Sequence, residues 1–150
     1  MANDIHIGRI VSIRLCLGSR EPMKIVGKAS VIAGEGIEGD RHRRSDGRRA
    51  ERQILLMDRE TIERFGLRDG DVRENLTVEG LDFTKIVGGD KVSIGSDVVL
   101  RITGDCEPCA RMDELRHGLR DDLEGQRGLL AYAEEGGVIS SGDNISILIS

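Results

Sequence analysis

The chain is a succession of short apolar segments separated by glycines, and this pattern restricts its fold more than any other feature. Twenty of its 150 residues are glycine. "IHIGRIVSIRL" (Ile5–Leu15) alternates as a first strand, and "RQILLM" (Arg52–Met57) is typical of a strand buried on both faces. Many short strands with glycine turns predict a mainly β fold, a barrel or sandwich with small helices. The sequence lacks the regular strand–helix alternation that is typical of a parallel α/β sheet.

Glycine turns also predict two β-hairpins. In "GGDKVSIGSDVVLRITG" (Gly88–Gly104), apolar residues alternate on both sides of the Gly95–Asp97 turn. A second hairpin is predicted to join "RGLLAYA" to "GVISSGDNISILIS" through the Glu135–Gly137 turn. The last strand carries three isoleucines on one face: Ile145, Ile147 and Ile149.

Two short helices are predicted between these strands. In "DRETIERFG", Asp58 is a suitable N-cap and Gly66 is a stop signal. "CARMDELRHG" carries Met112 and Leu115 at helical spacing and ends at Gly118.

Composition excludes several classes of protein. No apolar run approaches the roughly 18 residues of a membrane span, and the N-terminus lacks the pattern of a secretion signal. Three cysteines, an odd number, argue against a disulfide scaffold and predict a cytoplasmic protein. The net charge of −5 disfavours nucleic-acid binding, and two Phe, one Tyr and no Trp leave no aromatic platform for bases.

Two of the cysteines, Cys106 and Cys109, form a Cys-x-x-Cys pair between a predicted strand and a predicted helix. A thiol near a helix N-terminus is favoured as the thiolate, and Arg111 adds positive charge beside Cys109. Asp105 and Glu107 flank Cys106 and oppose its ionisation. Local charge therefore favours Cys109 as the reactive member, with two loop cysteines of no function as the alternative.

Two other interpretations of the pair are weaker but stay open. A thioredoxin-type dithiol belongs to a βαβ unit, whereas the surrounding pattern consists mostly of hairpins. A structural zinc site needs four ligands, usually supplied as two spaced pairs. The remaining candidate ligands form no second pair: Cys16, His6, His42 and His117.

A glycine-rich basic segment, "GEGIEGDRHRRSDGRR" (Gly34–Arg49), is too polar to predict a helix or a buried strand. Six arginines fall between Arg41 and Arg52, although arginine and lysine together number only 22 in the chain. Arginine donates paired hydrogen bonds to phosphate, so His42, Arg43 and their neighbours could surround a phosphorylated small molecule. Arg127 could add one more anion-binding group. A solvated loop without a ligand is the alternative.

The segment "RENL" opens another predicted strand. Glu74 and Asn75 are adjacent, so in a strand they point to opposite faces and one of them should point inward. A buried polar group needs a partner, so this side chain is a candidate site residue. Two ordinary polar residues beside a loop are the alternative.

Taken together and in order, these segments resemble the MOSC domain, named after the C-terminal domain of molybdenum-cofactor sulfurase. The resemblance spans residues 5–149 as a single domain. It rests on five stretches of sequence: "GIEGDRH", "RQILLMDRETIE", "RENLTVEGLDF", "VGGDKVSIGSDVVLRITGDCEPCARM" and "GQRGLLAYAEEGGVISSGD". It implies a mainly β, barrel-like fold of the pyruvate-kinase barrel type, with small inserted helices.

The resemblance also implies a functional thiol in a Pro-Cys pair, which is Pro108–Cys109 here. In this family the cysteine is thought to ligate molybdenum in a molybdopterin cofactor or to carry sulfur as a persulfide. Cys109 is therefore the predicted catalytic and metal-binding residue. The predicted cofactor-binding residues are Asp40, His42, Arg43, Glu74, Asn75, Arg111 and Arg127.

Three functions follow as expectations from these residues and the resemblance. The first is a molybdenum-cofactor protein that supports reduction of N-hydroxylated compounds with an external electron-donor protein. The second is a persulfide carrier supplied by a separate cysteine desulfurase, because the chain has no room for the pyridoxal-phosphate domain of the large sulfurases. The third is a module that binds a phosphorylated ligand without turnover. No nucleic-acid or membrane partner is expected.

Overall fold

Seven strands close into a β-barrel in the computed structural model, which describes residues 7–148. Ile5, His6 and Ile149, which the sequence assigns to the first and last strands or to a zinc site, lie outside this range. The strands of the chain are β1 (Ile7–Leu15), β2 (Lys24–Val26), β3 (Lys28–Ile32), β4 (Gly36–Ile37), β5 (Ile54–Asp58), β6 (Leu76–Glu79), β7 (Lys91–Ile94), β8 (Val98–Asp105), β9 (Leu129–Glu135), β10 (Gly137–Ser140) and β11 (Asn144–Leu148). The helices are α1 (Arg59–Arg64), α2 (Ala110–Leu115) and α3 (Leu119–Asp122), with 3-10 turns at Ala50–Arg52 and Phe83–Lys85.

The barrel runs in the order β1, β11, β7, β8, β9, β5, β6 and back to β1. Its closure depends on the long strand β1, which pairs with β11 near its start, with β6 through its middle and with β2 at its end. Strands β10, β3 and β4 form a separate small sheet. The mainly β, barrel-like fold expected from the sequence is confirmed.

One pair of barrel strands departs from the antiparallel pattern. Strands β5 and β6 are parallel, and α1 lies in the connection between them. Asp58 is the N-cap residue of α1, as predicted, and its carboxylate accepts a hydrogen bond of 2.7 Å from the Thr61 hydroxyl. The barrel is therefore mixed and contains one local strand–helix–strand unit, which the sequence pattern did not indicate.

The predicted hairpin at Gly88–Gly104 is confirmed, because β7 and β8 pair across the Gly95–Asp97 turn. The prediction of a second hairpin through Glu135–Gly137 is wrong. Strand β9 pairs with β8 on one edge and, through Leu129–Ala131, with β5 on the other, where Ala133 is bonded further along to the Gly34 N–H and the Gln53 side chain. Strand β10 turns away and pairs with β3.

Alternating residues of the barrel strands point inward and form the main core. Ile10, Leu56, Leu100 and Ile145 are among its fully or almost fully buried members. Burying an aliphatic side chain of this size stabilises the fold by about 1.5–3 kcal/mol. The core thus holds the strand ends, and the loops that leave them, in a fixed arrangement.

A second apolar cluster lies beneath the three helices. Met57, Ile62 and Met112 are buried there, so the Met112 position in α2 is as the spacing predicts. Leu115 is 45% exposed, so it does not share the buried face with Met112. Helix α2 ends at Leu115, and Gly118, with φ of 87°, begins α3 instead of ending α2.

Candidate functional site

A cavity of about 220 Å³ lies where the segments after β1 and β8 meet those before β6 and β9. Two thiols line it, Cys16 and Cys106, and the imidazole of His42 lies beside them. We call this cavity the thiol cleft. Five arginines complete most of its lining: Arg41, Arg52, Arg73, Arg111 and Arg127.

Arg127 is the most deeply placed of these arginines, with only 9% of its surface exposed. One terminal nitrogen, Nη1, donates to the Glu107 carbonyl at 3.1 Å and lies 3.3 Å from the Cys106 sulfur. The other, Nη2, donates to the Val72 carbonyl at 3.0 Å. Its Nε is buried and has no partner among the residues that the structure describes. A buried donor without a partner is costly, so this atom marks a position that an anionic ligand would stabilise.

Arg73 lies just before β6, far from Arg127 in the sequence. Its Nη2 donates to the Gly18 carbonyl at 2.8 Å and lies 3.1 Å from the Cys16 sulfur, and its Nη1 donates to the Glu21 carbonyl at 3.0 Å. Its backbone φ is 64°, a left-handed conformation that a non-glycine residue adopts at a steric cost. Each cleft thiol therefore has a guanidinium beside it.

The cleft carries an excess of positive charge, and the Asp40 carboxylate at its edge is paired with His42. Within residues 7–148, none of the five cleft arginines forms an ion pair with an acidic side chain. Arg111 is held by a hydrogen bond to the Ser19 carbonyl. Such an arrangement attracts anions and can donate several charge-assisted hydrogen bonds to them.

Asp40 and His42 form a hydrogen-bonded pair at the edge of the cleft. The Asp40 side chain is fully buried, and its Oδ2 lies 2.9 Å from His42 Nδ1 and accepts a bond from the His42 backbone N–H at 2.9 Å. An ionised carboxylate only accepts, so Nδ1 carries the proton and Nε2 is the ring nitrogen left for a ligand. Asp40 thereby orients the imidazole.

The same carboxylate anchors the segment that follows β1. Asp40 Oδ1 accepts from the Cys16 backbone N–H at 2.6 Å and from Asn75 Nδ2 at 2.9 Å. Burial alone would raise the pKa of Asp40, but the hydrogen bonds from His42 and Cys16 and the charge of His42 hold it below its ordinary value. Asp40 is therefore ionised at neutral pH.

Glu74 and Asn75 are both buried, which corrects the expectation that only one of them points inward. They precede β6, which begins at Leu76, so the alternation of a strand does not apply to them. Glu74 Oε2 accepts from the Gly70 N–H and the Thr77 hydroxyl, each at 2.7 Å. Burial, the dominant cause, raises the pKa of Glu74, although these hydrogen bonds and the charge of Arg14 oppose it. Neither residue lines the cleft. Their hydrogen bonds to Gly70 and Asp40 hold neighbouring segments in place.

The two cysteines of the Cys-x-x-Cys pair have different surroundings. Cys106 is 3% exposed and faces the thiol cleft beside Arg127, together with Leu55 and Leu130. Cys109 is half-buried, forms the N-cap of α2 and packs against the second apolar cluster. Cys109 does not line the cleft. The functional assignment of Cys109 stays a prediction from its motif.

Only some of the predicted site residues line the cleft. His42, Arg111 and Arg127 line it, whereas Arg43 turns away to an ion pair of 2.6 Å with Glu35. Arg41, which belongs to the predicted basic segment, also lines the cleft. Sequence reasoning did not select the cleft residues Cys16, Ser19, Arg52, Arg73 and Cys106 for the cofactor site. The available signals were the Cys-x-x-Cys pair for Cys106, the position of Arg52 beside the basic segment and the position of Arg73 next to Glu74 in "RENL". Cys16 follows β1 without any motif.

Two other kinds of site are absent from residues 7–148. No group of three or more His, Cys, Asp or Glu side chains is arranged to hold a metal ion. No helix in this part of the chain has the length and apolarity needed to cross a bilayer.

The sequence matches the MOSC domain over residues 39–146, which is more than half of the chain. The chain belongs to the MOSC domain family. Solved structures agree with this fold. The YuaD protein from Bacillus subtilis superposes with a TM-score of 0.79 at 18% identity, over 94% of this chain and 95% of that one.

Two YiiM proteins are also similar in structure. YiiM from Geobacillus stearothermophilus has a TM-score of 0.72 at 19% identity, covering 95% of this chain and 75% of that one. YiiM from Escherichia coli has a TM-score of 0.72 at 15% identity, covering 95% and 70%. Likeness at this level of identity shows the shared fold. No curated protein sequence matches the chain.

Proposed function

We propose that this MOSC protein binds a phosphorylated, sulfur-ligated metal cofactor of the molybdopterin class in the thiol cleft, through a cysteine thiolate. The observation that carries the proposal is the combination of two thiols with five arginines that have no carboxylate partner in the described residues. A ligand that neutralises this charge and uses a soft sulfur donor matches both features.

The residues present fit such a group. Arg127 offers a buried Nε without a partner, and Arg41 and Arg52 make no side-chain hydrogen bond within residues 7–148. Their guanidinium groups can hold a phosphate with paired hydrogen bonds. Thiolates are suited to thiophilic metals, which favours molybdenum over the hard cations that oxygen ligands bind.

Two thiols of the same segment compete for the role of ligand. Cys109 is the residue that the Pro-Cys motif predicts, and Cys106 is the one that lines the cleft. Arg127 Nη1 lies 3.3 Å from the Cys106 sulfur, which places a cationic group beside this thiol. The proposal therefore requires one of these two sulfurs, and separate variants distinguish them.

The remaining residues bind, orient and transfer protons. Arg111 and Arg127 bind the anionic part of the ligand, while Asp40 orients His42 so that Nε2 can exchange a proton with a bound group. A bound molybdenum centre would supply the oxidation–reduction chemistry, with reduction of N-hydroxylated compounds as the expected reaction. Reducing equivalents would come from an external electron-donor protein.

The test is metal content per chain, measured by plasma mass spectrometry on protein from a host that makes abundant molybdenum cofactor. We expect near-stoichiometric molybdenum in the wild type. One of the two variants, Cys106→Ser or Cys109→Ser, should lose the metal, and that variant identifies the ligand. Cys16→Ser tests the other thiol of the cleft: retained metal there assigns the ligand to the Cys106–Cys109 segment, and lost metal would contradict that assignment.

Absence of molybdenum from the wild-type protein would contradict the proposal. A persulfide sulfur carrier, supplied by a separate desulfurase, would then be the next candidate, because Arg127 beside Cys106 would also stabilise a persulfide anion. Mass spectrometry of the intact chain, for one added sulfur atom, tests that alternative.

A further inference from the structure

A groove of about 470 Å³ lies between β2, the end of α2 and the segment that precedes β6. We call it the side groove. Two arginines, Arg73 and Arg111, line both the side groove and the thiol cleft, so the two cavities adjoin. Its volume is in the range of pockets that hold small organic ligands.

Arg14 lines the side groove although only 8% of its surface is exposed. Its Nη1 is fixed by hydrogen bonds to the Ser12 hydroxyl at 2.7 Å and to the Thr77 hydroxyl at 3.3 Å. Its Nε and Nη2 make no hydrogen bond within residues 7–148, and neither is among the fully buried atoms of that range, so both keep access to the groove. These two nitrogens form one edge of the guanidinium, which donates in parallel to the two oxygens of a carboxylate.

The residues around Arg14 leave this edge uncovered. A Cβ at Gly70 would lie 2.6 Å from Arg14 Nε, so a side chain there would displace the guanidinium. The buried Glu74 is linked to Arg14 through the Thr77 hydroxyl, which accepts from Arg14 Nη1 and donates to Glu74 Oε2. Within residues 7–148, Arg14 has no carboxylate at ion-pair distance.

The two aspartates that line the side groove are engaged by other groups. Asp69 forms an ion pair of 3.3 Å with Arg59, and Asp71 Oδ2 accepts from the Arg68 backbone N–H at 2.8 Å. Against these two carboxylates, the groove is lined by four arginines: Arg14, Arg68, Arg73 and Arg111. The groove therefore carries an excess of positive charge, which favours an anionic ligand.

Exposed apolar side chains form the rest of the lining. Ile25 on β2 is 66% exposed and Leu115 at the end of α2 is 45% exposed, and Pro22 and Met23 lie beside them. Apolar side chains next to one fixed cationic group are the typical lining of a pocket for a small molecule with an apolar body and a single anionic group.

We propose that the side groove binds the substrate of this protein, and that the substrate is a small apolar molecule with one carboxylate group, which Nε and Nη2 of Arg14 hold. Because Arg73 and Arg111 line both cavities, a molecule bound at Arg14 lies next to the cofactor site. The substrate role rests on the proposed function. In that reaction an N-hydroxylated group takes two electrons from the donor protein and two protons, its N–O bond breaks and water leaves.

NMR titration with 4-carboxybenzamidoxime and with benzamidoxime, which lacks the carboxylate, tests the site. We expect the wild type to bind the carboxylate about tenfold more tightly, and Arg14→Gln to remove this preference. Arg52→Gln removes the same charge from the thiol cleft, outside the side groove, and should change the affinity less than about threefold. Ile25→Glu places a negative charge in the groove from an exposed position and should weaken the carboxylate about tenfold, whereas Val138→Glu, equally exposed on β10, should not.

Equal affinity of the wild type for the two compounds would overturn the proposal. So would an equal loss in Arg14→Gln and Arg52→Gln, which would place the carboxylate in the thiol cleft. If Arg14→Gln does not fold, the comparison of Ile25→Glu with Val138→Glu decides, and equal losses in that pair would overturn the site.

The substrate role is tested on molybdenum-loaded protein with reduced methyl viologen as the electron donor. The KM for 4-carboxybenzamidoxime should be about tenfold lower than that for benzamidoxime, and Ile25→Glu should raise it about tenfold with little change in kcat. Equal KM values would overturn the substrate role. Carboxylate-dependent binding by a protein that holds no molybdenum would refute the proposed function and leave the side groove as a carboxylate site.

Discussion

Asn75 joins three segments of the protein through its side-chain amide, and its removal tests how the cleft is held together. Its Oδ1 accepts from the Leu55 N–H at 3.0 Å, and its Nδ2 donates to the Arg14 carbonyl at 3.0 Å and to Asp40 at 2.9 Å. Strands β5 and β1 and the segment carrying Asp40 therefore meet at one side chain. Asn75 is only 3% exposed, so water cannot replace these bonds without rearrangement.

Asn75→Ala removes all three hydrogen bonds at once. The buried Leu55 N–H is left without an acceptor, at a cost of about 1–3 kcal/mol, and the lost bonds to Arg14 and Asp40 cost about 1 kcal/mol each. We expect the free energy of unfolding to fall by about 4 kcal/mol. With a urea dependence of about 2 kcal/mol per molar for a chain of this size, the unfolding midpoint falls by about 2 M.

Urea unfolding followed by circular dichroism measures this change. Asn144 supplies the matched control, because it is exposed on β11 and its side chain makes no hydrogen bond within the described residues. Asn144→Ala should alter stability by less than about 0.5 kcal/mol. A loss in Asn75→Ala within 1 kcal/mol of that in Asn144→Ala would refute the role of Asn75 as the junction of the three segments.

Three further predictions concern stability. Arg49→Gly should be about 1 kcal/mol more stable than Arg49→Ala in urea unfolding. Both variants lose the arginine side chain, but only glycine adopts the positive φ of this position without steric cost, so equal stabilities would show that the backbone of Arg49 is not strained. Gly128→Ala should lower the free energy of unfolding by about 3 kcal/mol or more, because its Cβ would clash with the Leu56 carbonyl oxygen. Gly125→Ala places its Cβ in open space and should lower it by only about 1 kcal/mol, as measured by thermal unfolding. The raised pKa of Glu74 means that the native chain keeps a proton that the unfolded chain releases, so unfolding free energy falls as pH rises from 4.5 through the native pKa. Glu74→Gln should flatten that decline of the unfolding free energy above pH 4.5, and an unchanged slope in urea titrations at a series of pH values would contradict it.

Local patterns in the sequence were sufficient for the fold class and for several elements. The β7–β8 hairpin and the start of α1 at Asp58 follow from alternation, turn glycines and capping, which act over a few residues. Strand partners that are distant in sequence were not predictable in this way. The prediction of a β9–β10 hairpin failed because the edges of β9 are bonded to β8, to β5 and, at Ala133, to Gly34 and Gln53, and no local pattern indicates whether an edge is occupied.

The buried pair Glu74 and Asn75 shows the same limit at the site. Sequence reasoning identified both as candidates, but it treated them as strand residues on opposite faces. In the structure they precede β6 and turn inward together, where one supports Thr77 and Gly70 and the other joins Asp40 to β5. A shift of one or two residues in the start of a strand changes which side chains are buried.

The residue pattern was sufficient to predict a barrel-like fold with glycine turns, a cluster of arginines, and thiols next to a short helix. Tertiary structure alone decided which of these groups face one another. Cys16 and Arg73 are 57 positions apart and meet only because the barrel closes between β1 and β6. Within the basic segment, ion pairs with Glu35 and Asp46 turn Arg43 and Arg48 away from the thiol cleft and leave other arginines to line it. Charge and thiol content are properties of residue types, whereas a binding site depends on through-space distances that strand pairing and ion pairing set.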